Sequence, residues 1–262
     1  MTSSEIRSTA RQSLTNKWGK AALIAFCYFL IEFLINFMIS GAKGSLPLLS
    51  SLLSIGNTVI SVPLAYGFLI SFMKLKSGEE VNAFDFFADG FSNFGRAWGI
   101  TWGIIKKLLV PIIIIIVLYI VLIASSVSLI AFSSTLFKSY SASASITAGF
   151  LSIICSIGLI ALYIWIAIKS LFYVLVYQVA YDNPNLSSKE VVEESERLMT
   201  GNRGKYFVLQ LSFIGWAILA CLTLGIGMFW LTPYITVATI CFYEALSGKS
   251  DTTIEVDSEE IK

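Results

Sequence analysis

Apolar residues run along this chain in long blocks, separated by short stretches in which apolar and polar positions alternate with helical spacing. The blocks are Ala21–Ser40, Leu48–Met73, Leu108–Phe132, Thr147–Lys169 with a helical extension toward Tyr181, Tyr206–Leu224 and Met228–Leu246. Each comes near the roughly 20 residues of helix that cross a bilayer core. The last two are separated by length: about 40 residues of unbroken helix would be about 60 Å long, twice the core. Gly225 and Gly227 supply the break there, and Pro233 soon after is tolerated near a helix start. The pattern predicts an all-α polytopic membrane protein of six transmembrane helices arranged as three hairpins.

The stretches between blocks predict short interfacial helices on the cytoplasmic side. Ser187 and Glu190 have the capping-box spacing, Val191, Val192, Ser195, Leu198 and Met199 mark one face, and Gly201 ends the helix. Ile6, Ala10 and Leu14 mark a similar face, as do Phe84, Phe87 and Phe91. Such helices lie with the apolar face toward the membrane. Each is followed by one phrase in three copies: Asn16-Lys17-Trp18-Gly19-Lys20, Asn93-Phe94-Gly95-Arg96 and Asn202-Arg203-Gly204-Lys205. Pro63 stands fourteen residues before Ser77-Gly78, and Pro233 fourteen before Ser247-Gly248. These echoes predict one membrane domain over 1–246, built of repeats at about 4–76, 82–181 and 187–246. An acidic cytoplasmic tail, 247–262, is expected to be disordered.

Composition places these blocks in a bilayer. Of 262 residues, 56% are hydrophobic and 13% charged, with a mean hydropathy of +0.79, whereas soluble domains carry about 25% charged residues. The net charge of +1 leaves no nucleic-acid footprint. Residues 1–20 are too polar for a cleavable signal peptide, so the first block is expected to double as the insertion signal. Under this topology, all but Lys43 and Lys138 of the 18 Lys and Arg fall on one side, which by the positive-inside rule puts both termini in the cytoplasm. Cys27, Cys155, Cys221 and Cys241 sit in apolar blocks without zinc-site or disulfide spacing, and read as buried small hydrophobes.

Candidate chemistry is sparse. The chain has no histidine, no Gly-rich phosphate loop and no nucleophile elbow. No enzymatic activity, catalytic residue, metal site or cofactor is expected. Glu32 lies twelve residues past Lys20, about 18 Å into a helix, where a carboxylate costs roughly 2.5–3.5 kcal/mol. Tyr28, Glu32, Asn36 and Ser40 recur every four residues as one polar stripe. Tyr28, Glu32 and Asn36 are thus ligand- or ion-coupling candidates; the alternative is a structural carboxylate holding the first helix to its neighbours. Lys169 is the candidate partner of Glu32, at matching depth if its helix reaches Tyr181, and a snorkelling lysine if it does not. Lys106 and Lys107 either mark an inner boundary or reach the same layer, with the boundary favoured. Lys20, Arg96 and Lys205, at the basic corners, are candidate head-group contacts. Gly95, Gly99 and Gly103 form a small-residue ladder suited to close helix packing, and Trp18, Trp98, Trp216 and Trp230 read as interfacial anchors.

A family resemblance runs through Tyr181-Asp182-Asn183-Pro184, the stretch from Glu194 to Lys205, Leu211–Trp216, Gly225-Ile226-Gly227, Pro233-Tyr234 and Phe242-Tyr243. On these residues the chain resembles the bacterial six-pass integral-membrane proteins of domain of unknown function nine hundred seventy-five. The start, from Ala10-Arg11 through Asn16 to Trp18-Gly19, fits as well. Lys169 falls where that family tends to carry a lysine before the Asp-Asn-Pro loop. Ile166-Ala167 stands where Pro-Gly is expected, so the helix break implied there lacks its residues. The resemblance implies a bacterial inner membrane and no activity, cofactor or catalytic residue. A distant similarity to the membrane domain fused to some glycerophosphodiester phosphodiesterases links it to lipids by association only.

The leading expectation is a non-enzymatic protein that binds or moves a lipid or small amphiphile, with membrane lipids as partners. A scaffold whose cytoplasmic helices dock another protein is the alternative, and an intramembrane enzyme ranks last.

Overall fold

The structure, a computed structural model, describes residues 2–43, 46–133 and 142–248, without the side chains at 125–126, 128–133 and 142–148. The expected tail, apart from Ser247 and Gly248, and the loop residue Lys138 lie outside the described residues. Among the described residues every regular element is helical, with no strand. The elements are α1 (Ser3–Ser13), α2 (Trp18–Ala42), α3 (Pro47–Ser77), α4 (Asp85–Ser92), α5 (Phe94–Ser133), α6 (Ala142–Ser170), α7 (Val176–Asp182), α8 (Ser188–Met199), α9 (Arg203–Leu211), α10 (Ile214–Leu222) and α11 (Met228–Ser247). Six stretches are long and apolar enough to cross a membrane: Trp18–Ala42, Pro47–Ser77, Phe94–Ala124, Gly149–Asp182, Arg203–Leu222 and Met228–Ser247. The chain is a polytopic helical membrane protein.

It packs as two compact units, one formed by Met1–Thr101 with Val174–Lys262, the other by Trp102–Tyr173. The second unit holds α5 from Trp102 onward, α6 and the turn that follows it. There Leu118 lies 3.7 Å from where a Cβ on Gly158 would sit, and Cys155 and Leu159 are buried. α5 runs unbroken through Lys106 and Lys107, so no change of structure marks a boundary at those lysines. α6 passes straight through Ile166-Ala167 and ends at Ser170, where a 3-10 turn, Leu171–Tyr173, separates it from α7. The extension toward Tyr181 is therefore helical but interrupted.

In the first unit, α10 and α11 form the expected hairpin. Leu224 (φ 55°) and Gly225 (φ 87°) both take left-handed backbone at its apex, and the preceding span is itself jointed at Ser212-Phe213. The core gathers around the second half of α3 and the body of α11; each helix contains a proline, Pro63 or Pro233, and is capped by a left-handed glycine, Gly78 (φ 92°) or Gly248 (φ 76°). A Lys76–Glu244 ion pair ties the two ends together.

The amphipathic helices close this core. Ile6, Ala10 and Leu14 are buried on α1, and all five expected face residues of α8 are buried. The capping box at Ser187 and Glu190 forms as spaced, and Thr2 with Glu5 makes another on α1. α1 and α8 thus turn their apolar faces into the protein rather than toward the membrane, whereas α4 leaves its apolar face free of protein, as expected of a face turned to the membrane. The protein-covered side of α4 is Phe86 and Gly90, while Phe84, Phe87 and Phe91 are exposed. The reason is a glycine crossing: a Cβ on Gly67 would stand 1.9 Å from the Phe86 carbonyl oxygen, and one on Gly90 would stand 2.3 Å from that of Pro63. Only two glycines let the α3 and α4 backbones meet this closely.

The repeated phrase marks corners where a short helix hands over to a membrane helix. Asn93 and Asn202 act alike, each side-chain amide donating to the carbonyl four residues back, Asp89 (2.9 Å) and Leu198 (3.0 Å). Asn16 makes its corner differently, with left-handed backbone (φ 63°), a conformation that asparagine tolerates better than most residues.

Candidate functional site

The α10–α11 hairpin is narrow at its apex. Thr223 Oγ1 donates to the Ala220 carbonyl (2.7 Å) and accepts from the Gly227 N–H (2.9 Å). A Cβ on Gly227 would lie 2.7 Å from Ala220 Cα. From this apex a groove of about 440 Å³ runs along the hairpin. Its walls are Trp18, Trp216, Trp230, Leu219, Leu231 and Tyr234, and Arg11 is the one charged residue among its lining. Gly227 to Tyr234 spans about 10 Å of helical rise.

Neighbouring elements hold these walls. Tyr234 packs edge-on against Phe213 (centroids 5.0 Å) and Trp18 (6.0 Å). Its hydroxyl donates to the Arg7 carbonyl at 3.2 Å, which fixes α1, and with it Arg11, beside the groove. A second cavity of about 560 Å³ lies between α2 and the start of α11, lined by Phe26, Phe29, Leu30, Phe33, Gly225, Met228 and Phe229. It offers no polar side chain.

The residues singled out from sequence lie elsewhere. Neither cavity is lined by Tyr28, Glu32 or Asn36. Tyr28 packs among Phe68 (centroids 4.7 Å) and Phe86 (5.8 Å). Asn36 turns back on its own helix, donating to the Glu32 carbonyl at 2.8 Å. Glu32 Oε1 is buried with no hydrogen-bond partner. Lys169, in the second unit, sets its ammonium over the rings of Trp165 (5.6 Å) and Phe172 (5.4 Å), contacts that suit a cation in apolar surroundings.

The corner bases divide. Lys20 and Lys205 are exposed. Arg96 is instead a clamp: its Nη1 donates to the carbonyls of Pro184 (3.0 Å) and Leu186 (3.1 Å), and its Nη2 to those of Ala180 (3.0 Å) and Asn183 (2.7 Å). The carbonyls at the end of α7 have no helical partners, and one guanidinium satisfies them while pinning the Asn183-Pro184 loop. Lys17 does the same more simply, donating to the Leu75 carbonyl at 2.8 Å.

On α8, outside the membrane-spanning stretches, Arg197 holds the Glu194 carboxyl below the usual carboxylate range through a 2.7 Å bond. The Ser187 N–H and hydroxyl do so for Glu190. Among the described residues no three potential metal ligands cluster.

Sequence reasoning missed the groove itself. Trp18, Trp216 and Trp230 read as separate interfacial anchors, and only the hairpin brings them around one space. A usable signal was present: two tryptophans flank the Gly225/Gly227 apex, and Arg7 and Arg11 are spaced by one helical turn.

The chain belongs to the family described as Protein of unknown function (DUF975), whose model matches residues 1–250. No curated protein and no solved structure matches the chain.

Proposed function

We propose that this member of a membrane-protein family of unknown function binds a single lipid or lipid-like amphiphile in the α10–α11 groove, without changing it chemically. The observation that carries the reading is the groove's composition: about 440 Å³ walled by three tryptophans, with Arg11 as its only charge. That volume falls within the range of small-ligand sites, which are mainly apolar with a few placed polar groups. An apolar tail would lie along Leu219, Leu231 and the indoles, and a head group beside Arg11. The Lys and Arg distribution supports cytoplasmic termini, and the family resemblance supports a bacterial inner membrane.

Native mass spectra of the protein released from lipid nanodiscs test this. A discrete adduct on the wild type, absent from Leu219→Trp, is expected; Leu219 is exposed on the groove wall, so the bulkier ring fills the groove without disturbing the core. No adduct on the wild type would overturn the reading and favour a scaffold role for the charged outer face of α8. A second reading, ion coupling at Glu32, is favoured by that residue's buried, unpartnered oxygen. An adduct that weakens in Glu32→Gln but not in Leu219→Trp would move the site to α2.

A further inference from the structure

Several cations of the first unit are engaged, among them the half-buried Lys17, Lys74, Lys76 and Arg96. Lys74 pairs with Asp89 at 2.8 Å and Lys76 with Glu244. Lys17 and Arg96 cap carbonyls. On α8, Lys189 faces Glu193 at 3.7 Å and Arg197 binds Glu194. Half-buried Arg7 departs from this pattern; Arg11, one turn on, is exposed, as are Lys20, Lys43 and Lys205, which likewise make no hydrogen bond or ion pair among the described residues. Neither the Arg7 nor the Arg11 side chain makes a hydrogen bond or ion pair among the described residues, and Arg7 Nε is buried without a partner. The nearest acid in sequence, Glu5, is taken by the capping box, accepting from the Thr2 N–H at 2.8 Å. A part-buried guanidinium without an acceptor is costly, and proteins ordinarily pair such a charge.

Helical spacing puts these two side chains on one face of α1, with Arg11 in the groove lining and Arg7 one turn before it. Arg7 and Arg11 stand one turn apart on α1, with Cβ atoms about 5–6 Å from each other. Ile6, Ala10 and Leu14 hold the adjacent face of α1 in the core. Arg11 lines the groove, and the hydroxyl of Tyr234, another wall residue, binds the Arg7 carbonyl. Each guanidinium offers five N–H donors in a planar fork suited to oxyanions. A carboxylate or a phosphodiester brings one negative charge and would leave one arginine uncompensated. A phosphate monoester brings about −1.5 to −2 and three acceptor oxygens.

We infer that Arg7 and Arg11 form a head-group fork, and that the amphiphile of the groove carries a phosphate monoester. This rests on the groove being a lipid site.

The test uses the full chain in nanodiscs doped with phosphatidic acid or with diacylglycerol of the same acyl chains, and reads the lipid retained on the protein. The wild type is expected to retain phosphatidic acid about tenfold over diacylglycerol, a difference set by the head group alone. The Arg7→Gln/Arg11→Gln variant should bring phosphatidic acid down to the diacylglycerol level and leave diacylglycerol unchanged. Should the double variant not fold, Arg11→Gln alone, altering an exposed side chain, should still lose several-fold. Arg7→Lys/Arg11→Lys, which keeps charge but not the fork, should fall between. Equal retention of both lipids by the wild type overturns the head-group fork while leaving the groove standing. Retention of neither overturns both. Phosphatidic acid preference that survives Arg11→Gln and the double variant overturns the assignment to these arginines.

Discussion

The two halves of α3 have nearly the same kind of sequence and different surroundings. In the first half Leu48, Leu52 and Ile55 are 84%, 66% and 63% exposed; in the second Leu64, Phe72 and Leu75 are 0%, 0% and 3% exposed. Composition does not separate them, since both halves are apolar. What differs is whether protein covers them. The second half is enclosed by α2, α4, α7 and α11, while the first half offers its leucines to lipid. In a bilayer an apolar side chain gains little by leaving lipid for protein, so packing there depends on close fit and on polar bonds. The covered half shows both: a glycine crossing, and cations that cap carbonyls.

Predictions that break or sharpen this contrast rank by the backbone involved. Gly67→Ala should have the largest effect, because its Cβ would stand 1.9 Å from a backbone oxygen; about 3 kcal/mol or more of stability should be lost. Gly56→Ala, on the same helix with nothing within 4 Å, should gain about 0.5–1 kcal/mol. Unfolding in mixed micelles measures both, and equal losses would mean that the two halves are equally covered.

Arg96→Lys comes next. One ammonium cannot reach four carbonyls set out for a guanidinium, so about 2 kcal/mol should be lost, with faster proteolysis in the Asn183-Pro184 loop. Lys20→Ala and Lys205→Ala should stay within about 0.5 kcal/mol of wild type. A loss at Lys205 matching that at Arg96 would show that the repeated corners are energetically alike.

Trp98→Phe should cost about 1 kcal/mol. Pro63 has no N–H to give the Val59 carbonyl, and the Trp98 indole N–H supplies it at 3.0 Å. Restoring the backbone donor with Pro63→Ala should shrink the Trp98→Phe effect, which a double-mutant cycle reads directly. An unchanged effect would mean that the ring matters for packing alone.

The smallest effect lies outside the membrane. Glu190 binds the Ser187 N–H, which lowers its carboxyl below the usual value. A depressed carboxyl contributes stability that is present above its unfolded value, near about 4.3. That contribution fades as pH falls through the lower folded value. Glu190→Gln should therefore flatten the acid side of the stability profile below about pH 5 and leave its neutral side nearly level. A flattening at neutral pH instead would exclude the capping box as its cause.

Much of the fold was legible because local chemistry governs it. Gly225 opens the last hairpin because its backbone turns left-handed. Ser187 and Glu190 cap α8 because their spacing allows no other reciprocal bond. α4 was legible as a helix whose Phe84, Phe87 and Phe91 face stays free of protein, but not in what holds its other side, because that contact is made by backbone at Gly67 and Gly90 rather than by side chains; the apolar faces of α1 and α8 turn into the protein instead of the membrane. Glu32 was legible as costly, but its surroundings were not, since a helix pattern gives a residue's face without saying what meets it.

The candidate site shows the same limit. Lys20, Arg96 and Lys205 occupy matching places in one phrase and read alike. Arg96 differs because the orphaned carbonyls of a segment some 85–90 residues away happen to end beside it.

Taken alone, the sequence determined six apolar stretches, their caps and breaks, and the asymmetry of charge. These follow from bilayer thickness, backbone conformation and hydrogen-bond spacing, all of which act within a few residues. Only the tertiary structure decided which basic residues are engaged and which are free, and that Trp18, Trp216 and Trp230 enclose one groove beside Arg11. Those outcomes depend on which backbones approach closely enough to share a carbonyl or leave a space, and such approaches join residues that the sequence keeps some 200 positions apart.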